Sequence, residues 1–548
     1  MNPKEVLAGI DFGTSNTVVS FVKNGNVDHY TFSAGNALLP TRVWHKRGQK
    51  LLITGNTRNF LGDNYSVVRN IKRAIGKEFS KEKHDRDAEL FGTVPKAARD
   101  GSYCFTLEDG KDYTCTDIVV MILKMIKDSL VRDVHPDIRD AVLSVPANFN
   151  SAQRLLMKQA AAKAGWNVLS LVNEPSAASV AASLNNNLNG MILVFDLGGG
   201  TLDVTILEVI GDKYKVVSSY GDPSLGGNDF DLVLLQLVER QYKQLHNHGL
   251  WEGQSESAVL KRKRKLIDFL IQQKEMVSQV HDLEIPICDF SKDADEDDIL
   301  ITEAEYIHAC KPLFQRCIEV VRKSLSMASP ALTRKDIQHV ILVGGGSRFP
   351  SIEQSLKDEF PASMFYSNNN VMEIVSKGCA VCGKMRKRPD FIIFDQLNST
   401  IAIRLEEGPY PLFRAGTPLP AKPVVLRLEA DAPGATSIEM KLVELRGDEE
   451  KDCHELCTIV SRDFEAKENE YKQLEFTFEV SEDGILSVRA VTLPDRKPCV
   501  DATNITVAMC PVSSNKQEYG NYFFIFSAQT TQSTTHYDEE RSTTLQFQ

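Results

Sequence analysis

Leu7 to Val22 reads LAGIDFGTSNTVVSFV, and Met191 to Ile206 reads MILVFDLGGGTLDVTI. Each stretch is an apolar strand, then an acid (Asp11, Asp196), then a turn of glycine and hydroxyl residues, then a second apolar strand. Glycine lets a backbone come close enough to an anion for several N–H groups to point at it. An acid at the strand end suits magnesium, held through water because that ion sheds water reluctantly. Two such hairpins facing each other would clamp a metal–polyphosphate from both sides, so the expectation is a nucleotide machine.

The surroundings of the two hairpins repeat as well. AVLSVP (141–146) reads as a strand, NSAQRLLMKQAAAKAG (150–165) as a helix with a glycine stop, and NVLSLV (167–172) as the next strand. In the second half HVILV (339–343) is a strand ending in three glycines, FPSIEQSLKDEF (349–360) a helix and ASMFY (362–366) a strand. Hairpin, strand, helix and strand recur in one order, which reads as a duplicated α/β domain with a ligand cleft between the copies.

Bulk properties are permissive. The chain has 548 residues, 42% apolar and 25% charged, with a net charge of −11. That length suggests roughly three or four domains, or fewer large ones. The acidic balance gives no footprint for nucleic acid or an anionic membrane. No apolar run approaches the roughly 18 residues of a membrane span, and the N-terminus enters a strand directly, so no signal peptide is expected. Eleven scattered cysteines favour reduced thiols and a cytoplasmic home. Cys379 and Cys382 read as packed helix cysteines, with a redox pair as the alternative. Cys453, His454 and Cys457 fall short of the four ligands of a structural zinc site.

Glu256 to Val280 has helical spacing, and its basic run Lys261–Lys265 reads as a solvated face rather than a nucleic-acid patch. Texture changes near Arg386-Lys387-Arg388-Pro389. Beyond it, IAIRL (401–405), VVLRLEA (424–430), IEMKLVEL (438–445), LEFTFEV (474–480), ILSVRAV (485–491) and ITVAM (505–509) alternate apolar and polar residues. They predict a β-sandwich of about six to eight strands. The expected domains are 1–388, a linker at 389–398, the sandwich at 399–510 and a mobile tail at 511–548, with Tyr522–Phe526 as a last strand or a sticky patch.

Several elements should converge if the duplication holds. Gly13, Thr14, Ser15 and Asn16 would offer N–H groups to the phosphates from one side, and Gly198, Gly199, Gly200 and Thr201 from the other. Asp11, Asp196 and Asp203 would hold magnesium and its waters. Glu174, at a strand end, could orient an attacking water. Gly344, Gly345, Gly346, Ser347 and Arg348 form a strand–helix turn suited to a nucleoside.

GIDFGTSN, NIKRAIG (70–76), SVPANFNSAQR (144–154), NEPSAA (173–178), DLGGGTLDV, SLGGNDFD (224–231) and VILVGGGSRFP together resemble the seventy-kilodalton heat-shock chaperone (Hsp70) family. SEDGILSVRAV (481–491) is similar to a strand pair of that family's peptide-binding sandwich. The resemblance covers roughly residues 5 to 510. It implies a duplicated actin-like (ribonuclease H-like) ATPase domain followed by a β-sandwich, with ATP or ADP and Mg2+ as ligands. Carried over, it assigns Lys72 to the attacking water and the γ-phosphate, Glu174 and Asp203 to positioning that water, Thr201 to the γ-phosphate and Gly227 to the nucleotide site. Pro146 and Arg154 fall at the family's interdomain switch, and Phe391–Asp395 is similar to its apolar linker. Implied partners are unfolded or extended polypeptides, a J-domain-type co-chaperone and a nucleotide exchange factor.

Departures are visible too. The stretch FLIQQKEMVSQ (269–279) keeps little of the family's adenine-contacting helix, the family's loop serine is Gly346, and a later aspartate is Met372. Residues 511–548 lack an amphipathic helical pattern, so the family's helical lid is expected to be missing. A weakly hydrolysing scaffold or exchange factor is the alternative reading. A small-molecule kinase leaves the β domain without a role.

Overall fold

The computed structural model describes residues 6–32, 35–48, 52–53, 65–81, 90–186, 188–290, 298–366, 371–430, 438–445, 453–461, 471–502, 528–529 and 543–547. The strand expected at 505–509, the apolar cluster 522–526 and most of the acidic stretch at 293–298 lie outside them. The chain divides into two compact units: Met1–Ala98, Tyr103–Asn148 and Met157–Ile393 in the first; Arg99–Ser102, Phe149–Leu156 and Phe394–Gln548 in the second.

The first unit contains two sheets of matching topology. One uses β1 (Leu7–Phe12), β2 (Asn16–Lys23), β3 (Asn26–His29), β4 (Asp140–Val145) and β5 (Asn167–Asn173), in the order β5-β4-β1-β2-β3. The other uses β6 (Gly190–Leu197), β7 (Leu202–Ile210), β8 (Lys213–Asp222), β9 (His339–Val343), β10 (Met364–Tyr366) and the edge strand β11 (Ile392–Phe394), in the order β10-β9-β6-β7-β8-β11. β1 runs antiparallel to β2 and parallel to β4, and β6 has the same relation to β7 and β9. Helix α1 (Ser151–Lys163) joins β4 to β5, and α2 (Glu174–Asn186) follows β5. The second half adds α3 (Gly227–His246), α4 (Glu256–Val280) and α5 (Glu303–Met327), then α6 (Pro350–Glu359) between β9 and β10, and α7 (Ile374–Met385).

Strand β6 shows why MILVFDL is an unbroken apolar run. Leu193, Phe195 and Leu197 enter a core with α3 and α5, while Ile192 and Val194 enter another with α2 and α7. A strand buried on both faces has no polar side to show. Side chains alternate along a strand, so Asp196 continues the face of Ile192 and Val194.

Helices α2 and α7 pack together between the sheets, and small residues permit it. A Cβ on Gly378 would sit 1.9 Å from the Ala177 carbonyl oxygen, and one on Gly9 would sit 2.3 Å from the Ala380 nitrogen. The stretches EPSAASVAAS and GCAVCG are the two sides of this close approach. Gly9 faces α7, so Asp11, two residues on, lies on that same face of β1. Cys379 and Cys382 are buried free thiols within this packing, and burial holds the Cys379 thiol well above the usual thiol range.

The basic run on α4 is not one solvated face. Arg264 is buried with Nη1 donating to the Gly92 carbonyl at 3.2 Å, and Lys263 pairs with Glu239 at 3.2 Å. Residues of the linker segment meet the edge of the second sheet: Ile392 donates its N–H to the Asp212 carbonyl at 3.1 Å, and Phe391 lies 6.0 Å from the Tyr214 ring.

The second unit is a two-sheet sandwich. β12 (Thr400–Leu405), β13 (Gly408–Phe413), β15 (Ile438–Leu445) and β16 (Cys453–Ser461) form one sheet, in the order β13-β12-β15-β16. In the other, β14 (Val424–Glu429), β17 (Gln473–Val480), β18 (Leu486–Leu493), β19 (Pro498–Ala502) and β20 (Thr543–Phe547) run in the order β19-β18-β17-β14-β20. Their inner faces share one core, and Ile401 and Ile403 belong to it. The apolar alternation of IAIRL is therefore core packing. Cys453 and Cys457 lie on β16, opposite Leu445 and Leu442. Arg154, which clusters with this unit, is buried and donates to the carbonyls of Phe149 (3.0 Å) and Asp483 (3.4 Å). Among the described residues no helix is long and apolar enough to cross a membrane.

Candidate functional site

The two glycine turns meet in the first unit. A Cβ on Gly199 would fall 2.0 Å from Ser15 Oγ, and one on Gly200 would fall 2.8 Å from Thr14 Cγ2. Glycine at both positions is what lets the loops touch. Among the described residues the backbone N–H groups of Thr14, Ser15, Gly199 and Gly200 have no hydrogen-bond partner. Thr14, Ser15 and Gly199 line the recess beneath the loops, and open donors there suit an anion.

Beneath the loops lies a recess of about 70 Å³ lined by Asp11, Gly13, Lys72, Glu174, Asp196, Thr201 and Gly344, together with Thr14, Ser15, Asn16, Gly198, Gly199 and Gly345. Lys72 stands on a short 3-10 turn, Ile71–Arg73, entered through Asn70 at φ 57°. Its Nζ lies 2.5 Å from Glu174 Oε1, at the first residue of α2. Asp11 Oδ1 accepts a hydrogen bond from Ser144 Oγ at 2.8 Å. Gly344 has φ +78°, and a Cβ there would meet the Leu197 carbonyl at 2.4 Å and Asp196 Oδ1 at 2.8 Å. Only glycine brings the end of β9 that close to Asp196.

Electrostatics in the recess are dominated by carboxylates. Burial, then the neighbouring Glu174, pushes the Asp11 pKa up to about 7 against the pull of Lys72. Burial with Glu174, Asp203 and Asp11 holds Asp196 well above the ordinary carboxylate range. Burial opposes the charge on Lys72, but Glu174 and Asp11 outweigh it and raise its pKa. Several acids facing one lysine leave an excess of hard oxygen donors. That set fits Mg2+ and does not fit a soft metal.

A larger cavity of about 850 Å³ adjoins the recess. Thr14, Ser15, Asn16, Gly198, Gly199, Gly227, Gly345, Gly346 and Arg348 line it, opposite the wall made by α4. Three residues expected at the site lie behind these surfaces. Asp203 is buried on β7 opposite Asp196 in register. Gly200 turns its carbonyl to Arg73. Ser347 is buried, with Oγ donating to the Gly344 carbonyl at 2.7 Å, so it braces the loop.

Two further residues hold the site and escaped the sequence reading. Arg73 Nε donates to the Gly200 carbonyl at 2.9 Å, and its Nη2 lies 3.1 Å from Asp229 Oδ2. Asp229 also accepts from the Gly226 N–H at 2.8 Å, at the start of α3. Lys274 Nζ sits 2.7 Å from Asp231 Oδ1 and donates to the Gly227 carbonyl at 2.9 Å. The adjacent basic residue in NIKRAIG was a signal for Arg73. Nothing local to residue 274 pointed to Gly227.

A family model described as Hsp70 protein matches residues 7–519. The chain belongs to the Hsp70 family. It is 29% identical over 495 residues to the chaperone protein dnaK of Cyanophora paradoxa, covering 88% of this chain and 77% of that relative. It is 29% identical over 498 residues to the heat shock 70 kDa protein BIP3 of Oryza sativa subsp. japonica, covering 88% and 72%. It is 27% identical over 497 residues to the heat shock cognate HSP70 protein of Trypanosoma brucei brucei, covering 88% and 72%. Hsp70 membership agrees with the paired sheets and glycine turns. The α4 wall of the large cavity includes Ile271, Gln272, Glu275 and Met276, within the stretch 269–279 that was expected to keep little of the family's adenine-contacting helix.

Proposed function

We propose that the chain binds ATP with Mg2+ in this cleft, hydrolyses it, and uses the cycle to control its hold on unfolded or extended polypeptide segments. The observation that carries the reading is the convergence of both glycine turns, Asp11, Asp196 and the Lys72–Glu174 pair on one recess. The open N–H groups of Thr14, Ser15, Gly199 and Gly200 bind phosphate oxygens, and Gly345, Gly346 and Arg348 border the nucleoside. Asp11 and Asp196 hold Mg2+, which supplies neutralising charge to the polyphosphate. Lys72 places a fixed positive charge where negative charge develops in phosphoryl transfer. Glu174 accepts a hydrogen bond from the attacking water and orients it, and Thr201 faces the terminal phosphate. Asp203 acts from behind Asp196.

In this reading residues 1–388 are the ATPase in two lobes, 389–398 the linker, 399–510 the partner-binding sandwich and 511–548 a tail. A J-domain-type co-chaperone and a nucleotide exchange factor complete the cycle. ATP turnover by the full chain, with and without an unfolded peptide, tests it. Peptide-stimulated turnover that is lost in Lys72→Ala is expected, and equal rates in the two proteins would defeat the assignment.

A second reading rests on the altered α4 wall. A poorly held base favours a nucleotide-binding scaffold or exchange factor that hardly turns over. ATP binding without measurable hydrolysis, unchanged by peptide, separates it from the first.

A further inference from the structure

One contact joins the two halves of the site away from its acids. Asn228 Nδ2 donates to Asn70 Oδ1 at 3.0 Å. Each partner is tied in turn to a different part of the site.

On the first-lobe side, Asn70 opens the 3-10 turn that carries Lys72, with φ 57° and ψ 21°. The Arg73 N–H closes that turn on the Asn70 carbonyl at 3.0 Å. A left-handed backbone excludes most side chains, and asparagine is among the few that adopt it. Glycine would serve the backbone as well, so the amide has a further reason. Asn70 is buried, and its Nδ2 donates to the Leu90 carbonyl at 2.8 Å. That bond fixes the amide and leaves Oδ1 to accept from Asn228. A carboxylate could accept there but could not donate to Leu90.

On the second-lobe side, Asn228 is the second residue of α3, and its N–H donates to the Gly199 carbonyl at 2.8 Å. Gly227 beside it donates to the Gly198 carbonyl at 2.9 Å. A Cβ on Gly226 would fall 2.6 Å from the Gly200 carbonyl carbon. The start of α3 therefore backs the second glycine turn at Gly198, Gly199 and Gly200. From Gly199 to Lys72 the route is short: one backbone hydrogen bond, two asparagine side chains and the first residues of a closed turn. Glu174 fixes the ammonium end of Lys72. The asparagine pair fixes the backbone that carries it.

We propose that Asn70 and Asn228 are positioning residues, whose amide contact sets Lys72 against the terminal phosphate held by the second glycine turn. ATP hydrolysis then depends on the contact far more than ATP binding does. This inference rests on the hydrolytic reading of the cleft and adds the link through which the turn of one lobe registers the lysine of the other. Misplacing a catalytic group by about 1 Å costs on the order of 100-fold in rate, so the loss of one positioning contact among several should cost about tenfold.

The test is single-turnover hydrolysis of Mg2+–ATP at saturating concentration by the full chain, set beside equilibrium ATP binding. Asn228→Ala removes the side-chain amide and keeps the backbone N–H on Gly199. Asn70→Gly keeps the left-handed backbone and removes the other amide. Each is expected to lower the bound rate about tenfold with ATP affinity held within about threefold, and the double variant should fall no further than either one. Asn228→Asp keeps the size of the side chain, sets two oxygens face to face and should lose as much rate as Asn228→Ala. In a Lys72→Ala background Asn228→Ala should lower the residual rate no further, because no lysine remains to be positioned. A merely structural role would lower it in both backgrounds. Bound rates equal to the wild type in Asn228→Ala and Asn228→Asp would overturn the proposal and leave the hydrolytic reading standing. The same loss from Asn228→Ala with and without Lys72 would also overturn it. A wild type that does not hydrolyse ATP would overturn the hydrolytic reading itself.

Discussion

Lys72 Nζ and Glu174 Oε1 form a buried ion pair, 2.5 Å apart, that ties a 3-10 turn of the first lobe to the first residue of α2. The lysine has two tasks here. It offsets the charges of Asp11 and Asp196 in the free protein, and in the proposed mechanism it faces the space where phosphoryl charge would develop.

Those tasks separate in mutants. Lys72→Ala is expected to lower ATP turnover at least about 100-fold while retaining nucleotide binding, because the lost charge matters most in the transition state. It also strands Glu174 among acids. Removing one partner of a buried pair costs about 3–5 kcal/mol, so the nucleotide-free variant should melt well below the wild type. Lys72→Ala with Glu174→Gln should recover part of the melting temperature and none of the activity. Calorimetry and single-turnover hydrolysis check the two halves.

Acidity of the recess gives a pH signature. Asp11 holds its proton up to about pH 7 in the fold, against an ordinary value of 3.8. A carboxyl whose folded value is raised favours folding fully below about pH 4, and that contribution is lost as pH rises through 7. Asp11→Asn removes the titration but keeps an acceptor for Ser144. In a metal chelator its stability should match the wild type near pH 4 and exceed it increasingly up to about pH 7, by on the order of 4 kcal/mol at pH 8, read as a higher melting temperature. Adding Mg2+ should narrow the gap by stabilising the wild type. A gap that does not grow with pH would count against a raised Asp11.

Arg69 and Asp268 pair across the large cavity, from the strand Tyr65–Arg69 to α4, and both side chains line it. A ligand that fills the cavity leaves more easily when that bridge is absent. Arg69→Ala and Asp268→Ala should each speed release of a fluorescent nucleotide about fivefold, and the double variant should do little more. Such non-additivity is the mark of one shared interaction. Additive effects would mean that the residues act separately.

What the sequence disclosed depends on how local each cause was. Asp11 and Asp196 were legible because each ends a fully buried strand and precedes its own glycine turn. The sandwich strand β13 was not among the expected strands, and Pro409 and Pro411 within it are residues that a paired inner strand does not carry. An edge strand tolerates proline, since its outward N–H groups need no partner, and β13 is the end of its sheet. β16 was not among the expected strands because a register shift, with Leu442 opposite Cys457 and Val443 opposite Glu455, breaks its alternation. Ser347 was expected beside a nucleoside, but the local 3-10 turn folds its hydroxyl back on Gly344. The burial of Arg264 against Gly92 and the reach of Lys274 to Gly227 join residues far apart in sequence. No window of sequence contains both partners.

The same limit hid Arg73, whose role can be isolated. Its guanidinium holds the Gly200 carbonyl and Asp229 at once, so it fixes the second glycine turn against the first lobe. It does not line the recess or the cavity, which argues for positioning rather than chemistry. A lysine keeps the charge but cannot fork between two acceptors. Arg73→Lys should therefore weaken ATP binding about tenfold, because the N–H groups of Gly199 and Gly200 are no longer held ready for phosphate. The rate of the bound complex should fall less than threefold, since Lys72 and Glu174 keep their places. Single-turnover hydrolysis at saturating ATP, set beside the dissociation constant, makes the distinction. A collapse of the bound rate with affinity intact would instead put Arg73 in the transition state.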